Sequence, residues 1–173
     1  MKKATKTEPR IEGVVAPEIV AYAEKHSTPP SATRRAIKRQ TDELLGENAE
    51  MQLGFTGGSF LAFLTEISRA QNVLEVGTFT GGTTLAIAEK LPPSGIVVTL
   101  ERCRGALEIA REFWRQSKHG KKIIPVPGDA EENLERLDGY SFDIAFIDAN
   151  KEAYPHYWRL VLPLVRPRRH HRR

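Results

Sequence analysis

Val73-Leu74-Glu75-Val76-Gly77-Thr78-Phe79-Thr80-Gly81-Gly82-Thr83-Thr84 begins as a short apolar run and passes into a glycine-rich turn. Leu85-Ala86-Ile87-Ala88 then resume an apolar pattern. The order reads as strand, tight loop, helix start. A parallel strand buried on both faces shows up as a short apolar run, and glycine lets the chain reverse where a side chain would clash. Such a loop brings backbone N–H groups and a helix N-terminus to whatever lies above the strand. By itself it also fits an ordinary strand-to-helix connection without a ligand.

A dinucleotide site is excluded first. Its G-x-G-x-x-G fingerprint needs a middle glycine so that a pyrophosphate can approach the backbone. Between Gly77 and Gly82 that position holds Phe79. The spacing from Glu75 to Gly81, E-x-G-x-x-x-G, leaves room for a ligand without phosphates.

The 173 residues are enough for one domain with a real core. Charged residues at 28% and hydrophobic residues at 40% fit a soluble globular chain. No run approaches the ~18 apolar residues of a membrane span. The opening MKKATKTEPR lacks the apolar segment of a secretory signal and reads as a flexible tail over 1–15. A single cysteine, Cys103, excludes an internal disulfide, and the cytoplasm is the default location. The net charge of +4 belongs to the C-terminal end, where Arg166, Arg168, Arg169, Arg172 and Arg173 cluster. Without those five, 21 basic residues face 22 acidic ones. No nucleic-acid footprint is therefore expected on the body of the protein.

Along the chain, helices are expected over Pro17 to His26 and Ser31 to Leu45, with Gly46 ending the second. A third, opened by Gly57-Gly58, is expected to bury Phe60, Leu61, Leu64 and Ile67. Further strands are read at Ile96 to Glu101, Lys122 to Pro127 and Phe142 to Asp148. The prolines suit the middle one of these to an edge. Helices are read at Leu85 to Leu91, around Ala106 to Trp114, through Leu134 and Leu137, and over Tyr154 to Val165. This alternation predicts an α/β fold, a doubly wound parallel sheet. Ligands of such sheets bind at the carboxyl ends of the strands, at the switch in strand order. Gly77, Glu101, Asp129 and Asp148 are predicted to stand there. An acid placed like Glu101 can accept both hydroxyls of a ribose, and the glycine loop with Glu101 points to an adenosine-type ligand.

The stretches VLEVGTFTGGTTLAIAEKLPPSG, VTLE, GDA and FDIAFIDANKEAYPHY, with the upstream MQLGFTGGSFL, resemble the S-adenosylmethionine-dependent O-methyltransferases of the caffeoyl-CoA and catechol type. The likeness runs from about Tyr22 to Pro167. It implies the class I methyltransferase (Rossmann-like) version of the sheet, behind N-terminal helices, in a domain spanning 16–167. It further implies that Leu53, Gly77 and Thr78 line the cofactor through backbone and that Glu75 and Thr83 lie near its amino-acid end. Glu101 would hold the ribose, and Asp129 and Ala130 would flank the adenine. Asp148 would bind a divalent metal, usually magnesium, beside the cofactor, and Lys151 matches the general base of the catechol branch. Read without the family, Lys151 is a surface lysine at a helix start and Asp148 a helix cap. A metal chelating two vicinal phenol oxygens lowers their pKa and orients one as nucleophile. A lysine, ordinarily near pKa ~10.4, needs a nearby cation or burial to act as a base near neutrality. The acceptor is a small molecule whose identity the sequence does not name. Oligomeric state stays open, although the family often forms dimers.

Two departures stand out. Asn150 occupies a position where the family usually has aspartate. The larger one follows Arg166-Pro167, where the family continues with two glycines, an apolar strand and an Asp-Asn pair that completes the metal ligands. Here the residues over 168–173 read RRHHRR. Codons CGG CGG CAT CAT CGT CGT TGA, shifted by one nucleotide, would read Gly-Gly-Ile-Ile-Val-Val and then Asp or Glu. On that frameshift reading the chain is a truncated methyltransferase lacking its last strands. It would keep its cofactor contacts, expose the edge of the fourth strand and have an impaired metal and acceptor site. The alternatives for RRHHRR are a natural basic tail and a simple metal-binding histidine pair.

Overall fold

The computed structural model describes residues 15–167. The expectations for the N-terminal tail, apart from Val15, and for RRHHRR lie outside the described residues. Helices α1 (Pro17–Lys25), α2 (Ala32–Leu45) and α3 (Phe55–Ile67) precede the sheet. Ser31 caps α2 by accepting the Arg34 amide at 3.2 Å, and Gly46 ends it. A 3₁₀ segment, Gly46–Met51, leads on to α3.

The remainder alternates: β1 (Asn72–Val76), α4 (Gly82–Lys90), β2 (Ile96–Glu101), α5 (Arg104–Arg115), β3 (Ile123–Pro127), α6 (Ala130–Glu135), β4 (Ile144–Ile147) and α7 (Tyr154–Val161). All four strands are parallel, in the order β3-β2-β1-β4. β3 is an edge, as its prolines predict. The direction of strand addition reverses between β1 and β4, so the switch point lies where those two strands end.

Val73, Val97, Leu107, Ala110 and Trp114 belong to the core on one face of the sheet. Leu74, Val76, Val98, Leu100, Leu134, Phe142 and Val161 belong to the core on the other. β1 and β2 are buried almost throughout, which is why they read as continuous apolar runs. Every residue of β4 is half-exposed.

Two expectations are corrected. α3 starts at Phe55 and buries Gly58, Ala62 and Thr65, while Phe60, Phe63 and Ile67 are exposed. Small residues form the inner stripe because they let the helix lie close to its neighbours: a Cβ on Gly58 would meet the Arg34 guanidinium at 2.8 Å. The last helix ends at Val161 rather than Val165. Pro163 lies in a 3₁₀ turn over Leu162–Leu164, and Val165 then forms a parallel bridge with Phe142. No helix among the described residues is long and apolar enough to cross a membrane.

Candidate active site

β1 ends in a loop whose shape is fixed by its glycines. Gly77 has φ +100°, and a Cβ there would run into the backbone carbonyl of Asp148. The Asp148 amide in turn donates to the Val76 carbonyl at 2.8 Å. Glycine is thus what allows the ends of β1 and β4 to touch. Gly81, at φ +79°, packs against the Trp114 ring, whose Nε1 donates to the Gly81 carbonyl at 3.1 Å. Phe79 adopts φ +51°, an uncommon conformation for a non-glycine residue.

Glu101 holds that loop in place. Its Oε2 accepts the Phe79 amide at 2.7 Å and the Thr78 amide at 3.2 Å, and its Oε1 accepts the Cys103 amide at 2.7 Å. A carboxylate offers about four acceptor positions, so roughly one is left for a ligand. The expectation that Glu101 takes both ribose hydroxyls is narrowed accordingly. Its first partners are backbone amides, one of them on the strained Phe79.

Beneath the loop, Glu75 is fully buried. It is paired in register with Thr99 of β2, so the two side chains share a face of the sheet. Glu75 Oε2 accepts the Thr99 hydroxyl at 2.6 Å and the Thr84 hydroxyl at 2.5 Å. Oε1 has no partner. Desolvation pushes the Glu75 carboxyl up to about 7; the two threonine hydroxyls oppose the rise, and the negative charges of Asp148 and Glu101 add to it.

Two hollows lie above the strand ends. A cleft of about 450 Å³ is lined by Gly77, Glu101, Asp129, Ala130, Asp148 and Lys151, together with Met51, Phe79 and Tyr157. Its size falls within the ~300–1,000 Å³ of small-molecule sites. A void of about 30 Å³ adjoins it, sharing Met51, Gly77, Phe79 and Asp148 as walls and adding Gln52, Leu53, Glu75, Thr78 and Thr83. Every site residue singled out in the sequence therefore lines one hollow or the other. Asp129 also caps α6, accepting the Glu131 amide at 2.8 Å. Asn150 does the same for Glu152 at 3.3 Å.

At the rim of the cleft the Lys151 ammonium lies 2.5 Å from Asp148 Oδ1 and 2.7 Å from the Tyr154 hydroxyl. The hydrogen bond to Asp148, then that to Tyr154, push the Lys151 pKa above its ordinary value. A base working near neutrality needs the opposite shift. Tyr154 was missed in the sequence, although Asp148, Lys151 and Tyr154 recur at intervals of three. Gln52, Thr80, Thr84 and Thr99 were missed as well.

The groups present fit an adenosyl amino-acid cofactor. The cleft is open, Glu101 forms part of its wall, and the buried Glu75 Oε1 lacks a donor such as an amine would supply. For the magnesium expected at Asp148 they offer that carboxylate on the cleft wall, and Mg²⁺ is commonly held by one or two carboxylates together with waters. The described residues contain no group of three or more His, Cys, Asp or Glu that could hold a metal, and Lys151 already neutralises the one acid in place.

The family model described as O-methyltransferase matches residues 24–169. A caffeoyl-CoA O-methyltransferase of Populus kitakamiensis is 32% identical over 136 residues, covering 76% of this chain and 58% of its own. A catechol O-methyltransferase of Mycobacterium tuberculosis is 37% identical over 109 residues, covering 63% of this chain and 50% of its own. Among solved structures, the O-methyltransferase TomG of Streptomyces achromogenes, in complex with SAM, superposes with a TM-score of 0.79 at 27% identity. That match covers 87% of this chain and 68% of TomG. The chain spans 58% of the Populus relative and 61% to 63% of two other curated relatives. With the family model covering most of its length and the same fold in a SAM complex, the chain belongs to the O-methyltransferase family.

Proposed function

We propose that the protein is an S-adenosylmethionine-dependent O-methyltransferase whose acceptor is a hydroxyl of a small phenolic or catechol-like molecule, with 16–167 as the methyltransferase domain. One observation carries this reading. The switch point gathers Glu101, Asp129, Ala130, Asp148 and Lys151 on the walls of a single cleft above the glycine loop. The relatives named for caffeoyl-CoA and catechol O-methylation support the acceptor class.

When bound, the cofactor would supply an electrophilic methyl group on a sulfonium for transfer to an acceptor hydroxyl. In this role Glu101 receives a ribose hydroxyl with its remaining acceptor position, and Asp129 and Ala130 flank the base. Leu53, Gly77 and Thr78 line the cofactor, and Glu75 and Thr83 face its amino-acid end. A hydroxyl acceptor reaching the rim meets the Lys151 ammonium first as a hydrogen-bond donor. Lys151 becomes a base only once its pair with Asp148 is broken.

Titration calorimetry with S-adenosylmethionine, with and without Mg²⁺, tests the proposal, followed by transfer of labelled methyl to catechol and to caffeoyl-CoA. Binding that magnesium strengthens, with transfer, supports metal-assisted catalysis. Binding indifferent to magnesium and without transfer supports the alternative, a cofactor-binding protein with an impaired acceptor site. The lack of a ligand cluster around Asp148 among the described residues favours testing that alternative directly. Absence of binding by folded protein overturns the proposal.

A further inference from the structure

Among the described residues the outer edge of β4 is open over Ile144–Ile147. The strand pairs with β1 on its inner side. On its outer side Val165 makes one parallel bridge, to Phe142. There the Phe142 amide donates to the Leu164 carbonyl and the Arg166 amide to the Phe142 carbonyl, each at 2.8 Å. Pro167 follows and has no N–H to carry that ladder on. Ile144, Ala145, Phe146 and Ile147 are all apolar and all half-exposed. No lysine, proline or other guard residue interrupts them. An edge of this kind is a template for another strand.

The helix after β4 carries an apolar stripe beside that edge. α7 packs on β4, and α6 packs on β2, toward the other side of the sheet. Tyr157 and Val161 are the buried residues of α7. Neighbouring residues of a helix lie about 100° apart, so His156 and Trp158 flank Tyr157 on opposite sides. His156 faces α6, with its Nε2 3.7 Å from Glu131 Oε2. Trp158, and Leu162 one turn on, therefore face away from α6 and toward the open edge. Trp158 is 60% exposed and Leu162 54%.

We propose that this edge pairs antiparallel with the same edge of a second copy of the chain, and that the partner's Arg166 then reaches Asp148 on the wall of the cleft. A two-fold contact sets a strand antiparallel to itself. The register that pairs all four free residues puts Ile144 against the partner's Ile147 and Ala145 against the partner's Phe146. One step further, Asp143 faces the partner's Asp148. Two acids opposite one another would repel. However, the Val165 bridge brings Arg166 beside Asp143, with its Nη1 3.4 Å from Asp143 Oδ1. The partner's Asp148 thus arrives at a half-exposed guanidinium, and the two ends of the edge are complementary in charge. The axis stands perpendicular to the sheet. Both copies of α7 then lie on one face, with Trp158 and Leu162 of each turned toward the other. Stable interfaces bury about 1,200–2,000 Å², and this contact is smaller, so a concentration-dependent equilibrium is expected. The inference does not rest on the cofactor reading.

The test is sedimentation equilibrium of the full chain over a concentration series, with amide hydrogen exchange followed at Ile144–Ile147. A reversible monomer–dimer equilibrium is expected, and these four amides should exchange more slowly as the dimer forms. Trp158→Glu buries a charge in the stripe and is expected to weaken dimerisation by at least about tenfold. Arg166→Glu, and raised salt with the wild-type chain, are each expected to weaken it as well. A monomer at every concentration overturns the proposal. A dimer that Trp158→Glu leaves at full strength also overturns it, because the contact then lies on another face. Equal protection of the β4 amides in dilute monomer and in dimer does the same, since the edge is then covered from within one chain. Wild-type dimerisation in Arg166→Glu overturns the contact with Asp148. If the variants do not fold, hydrogen exchange of the wild-type chain across the concentration series decides alone.

Discussion

The Lys151 ammonium sits 2.5 Å from Asp148 Oδ1, and both residues line the cleft above the strand ends. The pair is largely exposed on the lysine side, so its worth for stability is small. Its importance is chemical, because Asp148 keeps Lys151 protonated beyond the ordinary lysine range. Lys151→Met is expected to leave S-adenosylhomocysteine affinity within about twofold and to lower methyl transfer by about 100-fold, the size of a lost acid–base group. In wild-type protein without added metal, transfer is expected to rise with pH toward and past the normal lysine pKa, since only then does a free amine form. Calorimetry and a pH–rate profile check the two halves. A rate in Lys151→Met equal to wild type would remove Lys151 from the chemistry.

Glu101 closes three hydrogen bonds to backbone amides, one of them at the left-handed Phe79. Bonds to a charged acceptor contribute about 1.5–3 kcal/mol each at most, and they are not additive here. Glu101→Ala is therefore expected to lower the urea-unfolding free energy by about 3 kcal/mol and to loosen the glycine loop. Phe79→Gly should cost more in that background than it does alone, because the freed loop can relax and glycine then has no left-handed strain to relieve. Urea titrations of the four proteins of the cycle measure the coupling; strictly additive losses would show that Glu101 does not clamp Phe79.

Gly77 is where β1 and β4 meet. A methyl group there would overlap the Asp148 carbonyl, and φ +100° disfavours any side chain. Gly77→Ala is expected to destabilise the fold by about 1–3 kcal/mol and to push Asp148 out of place. S-adenosylhomocysteine binding should weaken by more than about tenfold, beyond what the stability loss alone explains. A folded Gly77→Ala protein that binds normally would contradict the close approach.

The parts of the site carried by one contiguous stretch were legible in the sequence. Gly77, Gly81 and Gly82 announced the loop, and the acids at the ends of the strands, Glu101 and Asp148, pointed at the cleft. What escaped depends on distant partners. Thr41 and Thr80 are 39 residues apart and meet only because α2 packs over the glycine loop. Thr99 joins Glu75 only through the register of β2 on β1. A threonine reads as an ordinary β-branched residue whether it lies in a helix, a loop or a strand, so neither network leaves a local mark. α3 misled for a related reason: apolar periodicity chose Phe60 and Ile67, whereas close packing chose Gly58, Ala62 and Thr65.

Glu75 is the residue at which stability and function oppose each other. Its carboxyl is neutral more readily in the folded protein, where burial raises its pKa to about 7, than in the unfolded chain at an ordinary 4.5. The native state thus holds the extra proton between those two values, and stability falls as pH rises through that window. Below it both states are protonated and the difference vanishes. Above it the folded protein carries a buried carboxylate at a cost of about 3 kcal/mol. Glu75→Gln keeps an oxygen for the Thr84 and Thr99 hydroxyls and replaces the unpaired Oε1 with an amide nitrogen. The variant is expected to match wild type near pH 4.5 in relative terms and to gain up to about 3 kcal/mol over it by pH 8, read as a rising difference in urea midpoint. In the same protein an N–H now faces the void in place of an acceptor. The amine of S-adenosylhomocysteine then meets a donor, and affinity should fall by at least about tenfold while binding of 5′-methylthioadenosine, which lacks the amino-acid end, is kept. A flat stability difference between pH 4.5 and 8 would mean that Glu75 ionises as easily folded as unfolded, and the buried, half-satisfied carboxylate at the base of the site would have to be abandoned.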